Sequence, residues 1–322
     1  MAERSAFYYL ESAPQVMSAY RHIRQYGVSG FDMLVRLNGS LHNDGQIARV
    51  MEELPVRQYG AVTCLPVGWK FFLLLVQRLL FRRYREFCIA DIRSTTGLVA
   101  ATFSRSGRIL LLDDGVASID YYQRRLLGLQ PFAGGFFKRL ISPLARFRTR
   151  HITLYTLMPL ESQGGMSVQR STFPVGGLGD VANAAIDDGV AVFIGSKVVE
   201  SGVCSEDYFC RTLRGFVARF EGRQLVYVLH REEDAGKLAQ FPALTPVRLD
   251  LPLELEFGVR QALPGVVASF YSAGLLGFLP YRGRMQLLAY GLPLEAGNAR
   301  YHQSIEAGRY LFQDLLGLQA DA

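Results

Sequence analysis

The sequence predicts an α/β chain built from two Rossmann-like halves facing a central cleft. Three observations carry this. Short apolar runs alternate with segments of helical period in both halves, and the runs are continuous rather than alternating, as strands buried on both faces require. One long Gly- and Ser-rich stretch separates the halves.

Residues 6–12 (AFYYLES) predict a strand, 13–27 (APQVMSAYRHIRQYG) a helix with Pro14 in its first turn, and 31–38 (FDMLVRLN) a strand. Residues 43–55 predict a helix capped by Asn43 or Asp44, and 87–92 (FCIADI) and 108–115 (RILLLDDG) two further strands. The alternation lapses over 161–189, which places a linker at 166–189 between domains spanning 1–165 and 190–322. It resumes with strand 190–196, helix 205–220, strands 224–230 and 247–252, helix 253–263, strand 265–270 and helix 272–279. A cleft between the carboxyl ends of two such sheets is where ligands of doubly wound folds bind.

A chain of 322 residues, half of them apolar, is long enough for two packed domains. Lysine and arginine exceed the acids by 35 − 29 = 6, which favours anionic partners such as nucleotides, phosphorylated glycans or acidic lipid headgroups. No interleaved basic and aromatic surface points to nucleic acid. The four cysteines, Cys64, Cys88, Cys204 and Cys210, lack CxxC spacing and read as reduced packing residues. With no secretory signal in the opening residues, the expectation is a cytoplasmic protein. The apolar run within 67–87 falls short of the roughly 18–20 residues that span a bilayer. Arg78, Arg82 and Arg85 give this segment a basic edge, read either as the solvated side of a core helix or as a dock on an anionic membrane at the cytoplasmic face.

Three stretches carry candidate chemistry. Asp113, Asp114 and Gly115 follow the apolar run Ile109 to Leu112, so a parallel strand delivers two carboxylates at its carboxyl end. Adjacent carboxylates repel, and burial raises a carboxyl pKa, which suits a general base; a solvated Asp-Gly turn is the plain alternative. His230 closes another apolar run and is followed by Arg231, a pair that suits a phosphate or a leaving group, although a lone histidine is commonly structural. Ser269 and Ser272 lie where a strand turns into a helix, as phosphate ligands or as ordinary caps. The glycine-rich stretch 176–182 lacks GxGxxG spacing and reads as linker, and the second Asp-Asp-Gly, 187–189, reads as a turn. Walker A, HExxH, GxSxG and DxD patterns are absent from the sequence.

Taken in order, the Asp-Asp-Gly after a first-half strand, the strand-ending His230, the Pro-x-Glu ending in Glu254 and the Ser272 turn into an apolar helix resemble the bacterial sialyltransferases and polysialyltransferases. That family shares a (D/E)-(D/E)-G motif, an HP motif and a paired-serine motif. The stretches YYLESAPQVMSA and IGSKVVESGVCSEDYF extend the resemblance over roughly residues 7–290.

The resemblance implies a GT-B fold and an inverting, metal-independent transfer of sialic acid, or a related nonulosonic acid, from a CMP-sugar to a lipopolysaccharide or capsule glycan. The first domain would hold the acceptor and the second the CMP-sugar, with the last helix returning to the first. On this reading Asp113 deprotonates the acceptor and Asp114 supports it. His230 serves the departing phosphate with Ser272 and Ser269, Glu254 binds the ribose hydroxyls, and Gly195 lets the loop approach the donor. Arg231 stands where the family has proline, and Ala273 where it has the second serine; the arginine supplies a cation in place of the lost hydroxyl. A non-catalytic GT-B-like protein that binds a nucleotide or glycan is the rival reading.

Overall fold

The structure is a computed structural model that describes residues 4–126, 128, 136–172, 185–230, 233–260 and 262–320. The chain divides into two units, Met1–Val175 and Gly176–Ala322. Each is an α/β unit around one parallel sheet.

The first unit contains strands β1 (Arg4–Leu10), β2 (Phe31–Leu37), β3 (Gly60–Pro66), β4 (Tyr84–Ile89), β5 (Ser106–Leu112), β6 (Ile152–Thr156) and β7 (Ser167–Arg170), in the order β3-β2-β1-β4-β5-β6-β7. Its helices are α1 (Ala13–Tyr26), α2 (Leu41–Glu53), α3 (Trp69–Phe81), α4 (Thr95–Phe103), α5 (Val116–Leu126) and α6 (Phe136–Thr149). The second unit contains β8 (Ala185–Ile194), β9 (Gln224–Val228), β10 (Leu244–Val247), β11 (Ala262–Phe270), β12 (Gln286–Tyr290) and β13 (Gln319–Ala320), in the order β10-β9-β8-β11-β12-β13. Its helices are α7 (Glu206–Arg219), α8 (Leu253–Arg260) and α9 (His302–Arg309). Both sheets follow the Rossmann strand order, so each has a switch point where consecutive crossovers diverge: between β1 and β4 in the first unit, between β8 and β11 in the second.

The continuous apolar strands are buried as their composition requires. Phe7, Tyr9, Phe87, Ile89, Ile109 and Leu111 form one face of the first sheet's core together with α3, α4 and α6. In the second unit Phe193, Tyr227, Phe270 and Tyr290 pack with Phe209 and Phe216 of α7. Tyr271 stacks on Phe312 at 5.8 Å, which seats the segment after α9 within the second unit.

Several boundaries differ from the sequence expectation. Ser40, accepting from the Asn43 amide at 3.4 Å, caps α2 in place of Asn43 or Asp44. The strand expected at 247–252 lies earlier, at Leu244–Val247, and α8 stops at Arg260 because Ala262 and Leu263 already pair with β8. The second Asp-Asp-Gly lies inside β8, where the register against β11 shifts. Of the predicted linker, 185–189 belong to β8 and 167–170 to β7, whereas 173–184, including the glycine-rich stretch, lie outside the described residues.

The 67–87 segment differs most. Helix α3 ends at Phe81, and Arg85 belongs to β4. Arg78 and Arg82 turn inward onto Asp32 at 2.8 and 3.3 Å, where the Tyr84 hydroxyl also donates at 2.7 Å. The expected arginine edge is therefore part of a partly buried ion-pair cluster. All four cysteines are free thiols, three of them buried, as expected. No helix among the described residues is long and apolar enough to cross a membrane.

Candidate functional site

In the first unit, β5 delivers Asp113 at the carboxyl end of the sheet, one strand from the switch point. The residue is buried, and its carboxylate accepts from the Thr156 hydroxyl (2.8 Å), the Leu157 amide (3.1 Å) and the Gly115 amide (3.0 Å). Its own amide donates to Ser18 of α1 at 3.1 Å. Burial pushes the Asp113 carboxyl above its ordinary value, while Thr156, Leu157 and the Arg21 charge pull it back. Gly115 adopts φ 68°, a left-handed conformation that lets the chain fold its amide back onto Asp113 and enter α5.

Asp114 is less enclosed. Its amide donates to the Ser118 hydroxyl at 2.8 Å, which starts α5. Burial first, then the neighbouring charges of Asp91 and Asp113, push its carboxyl up to about 6, against the pull of Gln15 and Arg93. Asp91 follows β4, and Glu11 and Gln15 follow β1, so these polar groups gather at the switch point itself. Glu11 accepts from Tyr9 (2.5 Å), Arg36 (2.5 Å) and Ser94 (3.3 Å). Sequence reasoning passed over Glu11 and Asp91, although both carry the signal that singled out Asp113: a carboxylate just after an apolar run.

In the second unit, Gly195, His230 and Ser272 follow the carboxyl ends of the adjacent strands β8, β9 and β11. His230 sits two residues beyond β9, its backbone held by Glu233: the His230 amide donates to the carboxylate at 2.8 Å, and the Glu233 amide donates back to the His230 carbonyl at 3.0 Å. Glu233 is buried and also accepts from Tyr227 (2.5 Å) and pairs with Lys237 (2.7 Å). A Cβ on Gly195 would meet the Glu233 carboxylate at 2.2 Å and the Tyr227 ring at 2.6 Å. The missing side chain of Gly195 therefore makes room for Glu233, a residue that sequence reasoning did not single out.

Ser272 caps the tight helical segment Ala273–Tyr281, accepting from the Gly274 amide at 3.2 Å. Glu254, in the first turn of α8, packs onto that same segment, its Cγ 1.8 Å from where a Cβ on Gly277 would lie. Ser269 takes a different place from Ser272. It is fully buried within β11, and its hydroxyl is within donating distance of the carbonyls of Ile194 (2.8 Å) and Phe270 (2.6 Å). Its environment is the interior of the sheet. Arg231 lies outside the described residues.

Two further features involve other residues. A cavity of about 400 Å³ opens on one face of the second sheet, lined by Val192, Val226, Val228, Val247 and Phe257, and reaches the carboxyl ends of β9 and β10 at Val228 and Val247. His22, Glu86 and Cys88 place one potential metal-ligating atom each within 4.8 Å of one another, under α1. Arg108 already pairs with Glu86 at 3.1 Å, and it lies about 16 Å before Asp113 along β5, five residues at a strand's rise. That trio is separate from the Asp113 region.

No protein-family model matches this chain, and no curated protein matches it.

Proposed function

We propose that the chain is an inverting glycosyltransferase of GT-B type that moves a nonulosonic acid, such as sialic acid, from a CMP-sugar to a surface glycan. The observation that carries the reading is the Asp113–Asp114 pair at the carboxyl end of a Rossmann-ordered sheet, one carboxylate anchored and its neighbour pushed up to about 6 by burial. A group that must accept a proton from a hydroxyl works best with a pKa near the working pH. The reading therefore moves the base from Asp113, where the resemblance put it, to Asp114; Asp113, held by three donors, fixes the turn that presents it and adds negative charge beside it.

In the second unit the reading assigns the donor to the ends of β8, β9 and β11. The Ser272 turn and the amides of the segment it caps would meet the CMP phosphate, with His230 protonating it as it leaves. Glu254 of α8, which packs on that segment, would accept from the ribose hydroxyls. A nonulosonic acid departs through an oxocarbenium-like state, so neutralising the phosphate charge and accepting one proton from the acceptor complete the reaction without a metal.

The direct test is release of CMP from CMP-sialic acid with a lipooligosaccharide acceptor, in chelator, by the wild type and by Asp114→Asn. Acceptor-dependent release that the variant loses supports the reading, and release independent of Asp114 removes Asp114 as the base. A non-catalytic nucleotide- or glycan-binding protein is the second reading. Ala273 favours it, because it stands where the second serine would be and the Ser269 hydroxyl, enclosed in the sheet, does not take its place. Binding of CMP with no transfer to any acceptor would select it.

A further inference from the structure

Helix α3 is apolar on two sides. Phe71, Leu75 and Leu79 enter the core, whereas Trp69, Phe72, Leu73, Val76 and Leu80, spaced three and four apart, form a second face that is exposed; Trp69 is 71 % and Leu73 60 % accessible. The same occurs on α6, where Leu140, Leu144 and Phe147 share an outward face and Leu140 is 66 % accessible. α4 packs against both helices, and its last residue, Phe103, is exposed as well. Arg105 reaches from the end of α4 to the Leu80 carbonyl at 3.0 Å, and Arg148 of α6 donates to the Ser104 carbonyl at 2.6 Å. The apolar side chains therefore lie on one side of the first unit. Single exposed apolar residues are ordinary, but a set on two helices that flank α4 marks a contact surface.

Charge identifies the partner. Neither α3 nor α6 contains an acidic residue. Exposed Lys70, Arg83, Arg105, Arg146 and Arg150 lie on these helices or within two residues of the ends of α3, α4 and α6, and the Arg150 guanidinium lies 4.5 Å over the Phe147 ring. A second copy of the chain applied through the same surface would bring these cations face to face. An anionic bilayer neutralises them while its acyl region accepts the aromatic and aliphatic side chains, and tryptophan favours that boundary.

We propose that the α3–α6 face of the first unit binds the surface of an anionic phospholipid bilayer, with Trp69 and Leu73 of α3 and Leu140, Leu144 and Phe147 of α6 entering the headgroup boundary. The surface differs from the basic edge expected from sequence: Arg78 and Arg82 are held by Asp32, and α6 contributes half of the contact. The inference is independent of the transferase reading, since lipid binding stands or falls without any donor or acceptor.

Trp69 is the sole tryptophan of the chain, so its emission reports on this face alone. The full chain is titrated with phosphatidylcholine vesicles, with and without phosphatidylglycerol, and followed by Trp69 fluorescence and vesicle flotation. Phosphatidylglycerol vesicles are expected to shift the emission to shorter wavelength and carry the protein up, with binding roughly tenfold weaker in high salt. Leu73→Asp with Leu144→Asp, both at exposed positions and therefore neutral for folding, is expected to abolish both signals at unchanged melting temperature. No shift and no flotation with phosphatidylglycerol at low salt would overturn the proposal. So would equal binding to uncharged vesicles, or a Trp69 emission that is already blue-shifted and turns red on dilution, which would give the face to a second copy.

Discussion

Thr156 donates its hydroxyl to the Asp113 carboxylate at 2.8 Å, tying the end of β6 to the residue that follows β5. The next amide, that of Leu157, donates to the same oxygen at 3.1 Å, so the Asp-Asp-Gly turn is held from the neighbouring strand. Thr156→Val keeps the volume and removes one donor from a buried carboxylate. It should cost about 1–3 kcal/mol in urea unfolding. Transfer should fall with it, because the turn that presents Asp114 loosens.

On the proposed transferase reading, Asp114 sets the pH dependence. Its ordinary value of 3.8 rises to about 6 in the fold. A base must be ionised to accept a proton, so transfer should decline as pH falls through about 6. The stability linkage has the opposite sign: the fold holds this proton more tightly than the unfolded chain, so the contribution is present below 3.8 and lost as pH rises through about 6. Asp114→Asn should remove the activity and flatten that part of the stability curve. A pH–rate profile and melting curves over the same range check both.

Gly195 tests the second unit. A methyl group there meets the Glu233 carboxylate at 2.2 Å and must displace a buried group that holds the His230 backbone. Gly195→Ala should destabilise by about 1–3 kcal/mol as an overpacked site and weaken CMP binding through the moved His230 turn. Calorimetric unfolding and CMP titration of the variant measure the two effects separately.

Asp32 carries the anchor of α3. Two arginines and a tyrosine converge on one carboxylate that is itself buried. Asp32→Ala leaves those cations without their counter-charge and should cost about 3 kcal/mol, the lower part of the range for a broken buried pair, because Arg82 stays partly exposed. Hydrogen exchange should show α3 loosening first.

Sequence pattern exposed the apolar-rich runs within β1, β2, β4, β5, β8, β9 and β11, and with them the positions just past their ends, where Asp113, Gly195, His230 and Ser272 lie. β3 was not legible: GAVTCLP mixes polar and apolar residues because it is an edge strand with one neighbour. β6, β7, β12 and β13 are short, and their assignment depends on partners remote in sequence. Glu233 and Asp32 were invisible for a related reason. Glu233 lies in a charged run and Asp32 alone at the start of an apolar strand, and either reads as solvated until tertiary structure supplies Tyr227 and Lys237, or a pair of arginines, to enclose it. Ser269 and Ser272, three residues apart, illustrate the limit of motif spacing: one lies inside the strand and the other caps the segment after it.

The measurement that addresses the central claim most directly is a thermal-shift series with CMP, CMP-sialic acid, UMP, UDP and GDP, in chelator. A ligand at about a hundred times its dissociation constant stabilises by roughly 2.7 kcal/mol, enough to raise a melting temperature by several degrees. Stabilisation by CMP and CMP-sialic acid alone, lost in Glu254→Ala, is the expected result. Stabilisation by UDP or GDP without CMP would contradict it.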